Sequence, residues 1–405
     1  MYLKKPVHNS IVILVVFMVS IGLWLNITNQ VTMYGTQNGK FSDQVDSYSE
    51  YIIRNTVLNK FIGTENVGGT LIITKGYPKE DYSYYPDETV KYYSHRGIQV
   101  YLFEEIGRFN KELFIENSDR FFQAFRFLNC LLLTVCVSAF FIGLFGKNLI
   151  ALISLVIFSF AGGVALFASN LYFMSWILFT PLLCFPVLVR GYSKTYVFFA
   201  LVFSMLYFSV RYEFATTFAL LWLFPVLALR LKTGSIDVKT AIYAFAATCL
   251  GFSLALLAHH LSVASELQIS IDDASELIFT NTQVRVLSLK GVPVPFSNEF
   301  FQSMIYRWKW TGLSAPLLFS IPKLWLLILF IVIFIVISIK TKGGEFKMLF
   351  IWALLAYGSW YLFAYQHILW HVQYDSLLFA ATIQMVLLIC LITWVCRIFD
   401  KRRLV

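Results

Sequence analysis

IVILVVFMVSIGLWLNI, Ile11–Ile27, is an unbroken apolar run that follows Lys4 and Lys5. A bilayer core takes roughly 20 apolar residues per helix, so the run reads as a membrane helix. It passes through Trp24 and Leu25 into Asn26-Ile27-Thr28 without a small-residue cleavage site. We read it as a retained signal anchor. Comparable runs follow at about 124–145, 149–168, 171–189, 195–210, 214–231, 240–262, 321–340, 347–365 and 376–396. The whole chain is 58% hydrophobic and 14% charged, with a mean hydropathy of +0.69. A soluble domain carries roughly 25% charge. The expected fold is an all-α polytopic membrane protein of about ten transmembrane helices, with a large, partly helical first extracytoplasmic loop.

Charge orients the runs. The net charge is +9, but the basic residues cluster in short connections, which excludes nucleic acid as the partner and points to the bilayer. With the N-terminus inside, the inner ends carry Lys4, Lys5, Lys147, Arg190, Lys194, Arg230, Lys232, Lys239, Lys340, Lys342 and Lys347. Arg397, Lys401, Arg402 and Arg403 fill the tail, and the short outer connections carry only Arg211. Both termini are therefore expected in the cytoplasm, and the setting is read as a bacterial inner membrane. The divisions are a signal anchor at 1–27, an outer loop at 28–123, spans two to seven at 124–262, a second outer loop at 263–320, spans eight to ten at 321–396 and a basic tail at 397–405. All six cysteines lie in apolar runs without a CxxC pair, so they read as small buried residues rather than a disulfide or zinc framework.

Residues 28–123 are the one long polar segment. Asp43–Phe61 is expected as an amphipathic helix with Val45, Tyr48 and Ile52 on its apolar side. Gly68–Thr74 reads as a short strand, and Tyr77–Tyr93 as irregular. Ile98, Leu102, Ile106, Phe109 and Leu113 recur at helical spacing, which predicts an interfacial helix.

Asp43, Asp46 and Glu50 share one stripe of the first of these helices. They are candidates for a general base or metal ligands. The plainer reading is an acidic first turn, with Glu50 and Arg54 as an i,i+4 pair. In Tyr92–Gln99, His95 and Arg96 precede a helix and can meet a phosphate there; a polar turn is the alternative. Arg211, planar and always charged, can clamp a phosphate or simply pair with Glu213. His367 and His371 have metal-ligand spacing without an HExxH motif; the plainer reading is a pair of interfacial histidines beside Trp370. No Walker loop, GxGxxG or GxSxG motif is present. The near absence of mid-depth charge weighs against an ion-coupled transporter.

Three features carry a resemblance: acidic residues soon after the first span, here Asp43 and Asp46; Tyr-Ser-x-x-Gly-Ile-Gln at Tyr93–Gln99; and Ser-Asn-Leu-Tyr-x-Met-Ser-Trp at Ser169–Trp176. Together with the large first loop, they make the chain resemble the GT-C superfamily of integral-membrane glycosyltransferases, above all bacterial relatives of the dolichyl-phosphate-mannose protein mannosyltransferases. The resemblance implies transfer from a polyprenyl-phosphate sugar donor to a glycan, lipid or protein acceptor. Asp46, or else Asp43, would be the base. His95, Arg96, Arg211 or Arg285 would neutralise the departing phosphate. Tyr93, Gln99, Asn170, Tyr172, Trp176, Glu213, His367 and His371 would line the substrate site. The resemblance leaves a divalent metal ion open as the one cofactor. The chain is expected to depart from larger members in lacking a C-terminal periplasmic domain, and Asp43, Asp46 and Glu50 include no adjacent acidic pair. Two other readings compete: an O-antigen-type polysaccharide polymerase, which would put key arginines in a later loop, here Arg285 and Arg307, and a non-enzymatic transporter or scaffold.

Overall fold

The computed structural model describes residues 5–25, 47–62, 71–74, 89–93, 95–286, 297–308, 311–315, 319–340, 344–364 and 374–401. Asp43, Asp46, His367 and His371 lie outside the described residues, as does the side chain of Arg285. The described chain is overwhelmingly helical. Six helices are long and apolar enough to cross a membrane: Ser118–Phe145, Ser193–Val210, Ala215–Thr233, Val238–Leu267, Phe346–Phe363 and Tyr374–Cys396. Four shorter apolar helices, Asn9–Trp24, Leu149–Ser159, Ser175–Val189 and Lys323–Val336, fall within the remaining expected runs. These helices expose large apolar side chains outward, including Ile13 at 68%, Leu257 at 51% and Leu355 at 61%. So much apolar surface is unfavourable against water and suits a lipid environment.

The shorter helices have local causes. The run at 149–168 breaks at Phe160–Ala161, with Gly162–Phe167 resuming as a separate helix. Ser175–Val189 opens with a 3-10 turn and then restarts at Pro181 and Pro186, where a proline fits a first turn but cannot accept an interior position.

Contacts sort the ends of the bundle. At one end Val7 N donates to the Lys147 carbonyl (2.9 Å), Lys147 Nζ to Asn9 Oδ1 (2.6 Å) and Lys232 Nζ to the Gly143 carbonyl (2.9 Å). Arg230 Nη1 lies 2.9 Å from Met348 Sδ. Lys147, Arg230 and Lys232, three of the basic residues expected on one side of the bilayer, thus lie at one end. At the other end Trp24 Nε1 meets Gln123 Oε1 (3.3 Å).

The polar segment between the first two runs is partly ordered. Ser47–Ile62 is a helix, but it is buried on more than one side: Ile52, Ile53 and Val57 are covered, and so are Glu50, Asn55, Thr56 and Asn59. It is a packed helix rather than the amphipathic one expected. Leu71–Thr74 is a strand, as expected, and its antiparallel partner Thr89–Tyr92 corrects the last part of the irregular reading of Tyr77–Tyr93, of which 77–88 lie outside the described residues. A second hairpin joins Thr311–Ala315 to Phe319–Pro322. The expected interfacial helix ends at Arg108, and Asn110 caps a new one by accepting from Leu113 N (3.0 Å). Its packed face is Val100, Phe103 and Gly107, whereas Leu102, Phe109 and Leu113 of the anticipated stripe point outward.

Candidate functional site

Two sequence stretches turn sharply at the end opposite the basic cluster, and the site is built from their turns. In Ser169–Trp176, Asn170 Oδ1 accepts from the N–H groups of Tyr172 (2.9 Å) and Phe173 (3.0 Å). Asn129 Nδ2 holds the Asn170 carbonyl (3.2 Å). Met174 then takes a left-handed conformation, φ 42°. In Ser209–Thr217, the helix Ser193–Val210 stops and Arg211 is extended, while Phe214 is left-handed at φ 63°. Non-glycine residues in that region cost on the order of 1–2 kcal/mol and persist where surrounding structure fixes them, often at functional sites. Of the three such residues among those described, two lie in these turns.

The third contributor is Tyr93–Gln99, which brings the polar segment onto the bundle. Gly97 has φ 63°, and a Cβ there would fall 2.6 Å from Leu71 Cδ2, so the motif glycine is demanded by both backbone and space. His95 Nε2 lies 2.9 Å from Glu213 Oε1, with both side chains almost fully buried. Tyr172 Oη donates to the same oxygen (3.3 Å), and Gln99 Nε2 to the Tyr172 carbonyl (3.3 Å). Tyr212 Oη and His259 Nδ1 are 2.9 Å apart. Burial raises the Tyr212 phenol, with the Arg96 charge pulling the other way. Burial likewise raises Tyr101, again opposed by Arg96, and raises Tyr93, there reinforced by Glu266. His95, Arg96, Tyr93, His259, Ser262 and Glu266 line a narrow crevice.

Arg211 stands at the centre. It is 1% exposed. Its guanidinium carbon lies 4.7 Å from the Phe173 ring centre, 5.2 Å from Tyr207 and 5.7 Å from Phe214. Among the described residues, Nε, Nη1 and Nη2 have no hydrogen-bond partner. Tyr207 Oη donates to the Glu213 carbonyl. The plain expectation of an Arg211–Glu213 ion pair is therefore not what the structure shows: Glu213 turns to His95 and Tyr172, and the extended backbone at Arg211 sends its side chain among the rings.

The sequence-derived candidates thus divide. His95, Gln99, Asn170, Tyr172, Arg211 and Glu213 come together. Arg96 and Tyr93 border the same junction, and Trp176 lies on the Ser169–Trp176 turn. Glu50 is elsewhere, buried against Arg126, whose Nε donates to Oε1 at 2.7 Å, while Arg54 reaches Asp119. Among the described residues no group of three His, Cys, Asp or Glu could hold a metal ion.

Sequence reasoning missed a neighbouring cluster. Asp375 is bonded by Lys323, Tyr361 and Tyr357, the last at 2.6 Å. All are buried. Asp375 lies just before the last apolar run, at 376–396. The tyrosines at i,i+4 and the lysine opening an apolar run were the available signals. The chain matches no family model and no curated protein.

Proposed function

We propose that this helical membrane protein is a glycosyltransferase that moves a sugar from a polyprenyl-phosphate donor to a glycan, lipid or protein acceptor. The observation that carries the reading is Arg211: a buried, charged fork whose nitrogens have no hydrogen-bond partner among the described residues. Taking such a charge out of water costs several kcal/mol, and each ring contact returns only about 0.5–2 kcal/mol. The remaining deficit is what an anionic ligand removes. A phosphate presents oxygens that match the fork two at a time. An apolar, aromatic surround suits a phosphate carried on a prenyl chain better than a freely soluble one.

In this reading the chain spans the bilayer ten times with a GT-C-like architecture. The basic end, with Lys147, Arg230 and Lys232, faces the cytoplasm together with both termini, and the Arg211 end faces outward across a bacterial inner membrane. The gathering of those basic residues at one end supports that orientation. Asp46 or Asp43 supplies the base that takes the acceptor hydroxyl proton. His95–Glu213 fastens the polar segment that carries them to the spans, and Arg211, with Arg96 alongside, stabilises the departing lipid phosphate.

Purified protein in lipid, given a panel of polyprenyl-phosphate sugars, tests this directly. Wild type is expected to turn over at least one donor, Asp46→Asn to lose that turnover, and Arg211→Lys to bind the donor less tightly. A folded wild type inert toward every donor ends the reading.

A further inference from the structure

The Asp375 cluster takes no part in that reaction, yet its contacts lead to Arg211. Asp375 is 1% exposed and Lys323 is 0% exposed. Lys323 Nζ also lies 3.2 Å from Ser376 Oγ. Tyr357 and Tyr361 hydroxyls are 3.1 Å apart, and Trp308 Nε1 donates to Tyr357 Oη (3.2 Å). Lys323 opens one helix, the tyrosines lie a turn apart on a second, and Asp375 opens a third. One carboxylate therefore ties three helices together.

Those helices carry the walls behind the guanidinium. Tyr374, next to Asp375, packs its ring 4.8 Å from Phe173 and 5.7 Å from Phe214. Trp360, between the two tyrosines, packs 4.8 Å from Phe214. Phe173 and Phe214 are two of the three rings around Arg211. Thr217 Oγ1 donates to the Ala356 carbonyl (2.9 Å), joining the Phe214 turn to the tyrosine helix. Gly163 lets its helix touch the third one: a Cβ there would lie 1.9 Å from the Ser376 carbonyl oxygen. Left-handed Phe214 needs such walls, because its backbone is unfavourable for any side chain with a Cβ.

We infer that Asp375 is a positioning residue for the Arg211 anion site. By gathering Lys323, Tyr357 and Tyr361, it holds Tyr374 and Trp360 against Phe214 and so fixes the guanidinium where a lipid-linked phosphate meets it. The inference rests on the reading of Arg211 given above. Directional bonds to one buried carboxylate set the register of three helices more sharply than apolar packing does, since a slip leaves a charge unpaired.

The test uses full-length protein in lipid nanodiscs, with a polyprenyl phosphate as probe and affinity read from binding isotherms. Three variants are compared: Arg211→Lys, the pair Tyr357→Phe/Tyr361→Phe, and the pair Lys323→Met/Asp375→Asn, which removes both buried charges at once. Both cluster variants are expected to bind the probe about tenfold more weakly while remaining folded, the size of coupling seen between residues in one network. Added to Arg211→Lys, the tyrosine pair should cause no further loss, because it acts through Arg211. Unchanged affinity in folded cluster variants overturns the inference, and so do losses that add to that of Arg211→Lys. Wild-type affinity in Arg211→Lys itself ends both this inference and the anion reading, so the two failures appear in different variants. Where a double variant does not fold, the single Tyr357→Phe and Tyr361→Phe changes carry the same test, each deleting one hydroxyl.

Discussion

Lys323 and Arg211 are both buried cations, separated by a layer of aromatic rings, and the fold treats them oppositely. Lys323 is matched: a carboxylate, two phenols around that carboxylate, and a serine hydroxyl satisfy it. Arg211 has rings for neighbours and, among the described residues, no hydrogen-bond partner. A matched buried pair holds structure, and removing one partner leaves an uncompensated charge. An unmatched charge regains only part of its desolvation cost from ring contacts, and in the reading proposed above a ligand supplies the rest. On the reading proposed above, the difference separates the part of this molecule that holds from the part that binds.

The largest expected effect attacks the matched side. Lys323→Met leaves Asp375 buried without its cation and should destabilise the protein by about 3–5 kcal/mol. Thermal unfolding in detergent reads it. A loss well below 1 kcal/mol would mean that water reaches Asp375 and that the two cations are not comparable. The unmatched side should respond in the other direction. Arg211→Met relieves an unpaired charge and is expected to stabilise the ligand-free protein by about 1–2 kcal/mol while abolishing donor turnover, the usual trade between stability and function. A destabilised Arg211→Met would show that the ring contacts suffice and that the charge needs no ligand. Smaller still is Tyr361→Phe, which removes one hydrogen bond to a carboxylate that keeps its others; about 1–2 kcal/mol should be lost in the same unfolding assay.

How much of this the sequence revealed depends on the range of each signal. Apolar runs are local, so each of the ten expected runs contains an apolar helix. Helix ends were less legible because Pro181 and Pro186 restart a helix rather than stop it. Gly97, Asn170 and the Ser209–Thr217 turn were visible because their chemistry is written into adjacent residues. The partners of Arg211 and Glu213 were not. Adjacent sequence suggested that they pair, whereas a residue more than a hundred positions away, His95, claims Glu213. Lys323, Tyr357 and Asp375 are likewise scattered, and no spacing rule connects them.

An exposed charge isolates burial as the cause of the contrast. Asp237 caps the helix Val238–Leu267, accepting from Thr240 N (3.0 Å) and Thr240 Oγ1 (2.5 Å). Those hydrogen bonds, the Thr240 hydroxyl first, hold its carboxyl below the ordinary range. With the folded pKa below the unfolded value of about 3.9, the contribution is fully present above that value and is lost as pH falls through the folded one. Asp237→Ala should therefore cost about 1 kcal/mol at neutral pH, as caps do. The gap to wild type should hold steady down to about pH 5 and close below about pH 4, where the wild-type carboxylate takes up its proton. Thermal unfolding of both proteins across that range measures it. Asp237 is matched as Lys323 is, but water already stabilises it, so its pairing adds little. If its loss rivalled that of Lys323→Met, desolvation would not be what divides the strong charges of this protein from the weak ones, and the case for a ligand on Arg211 would lose its physical basis.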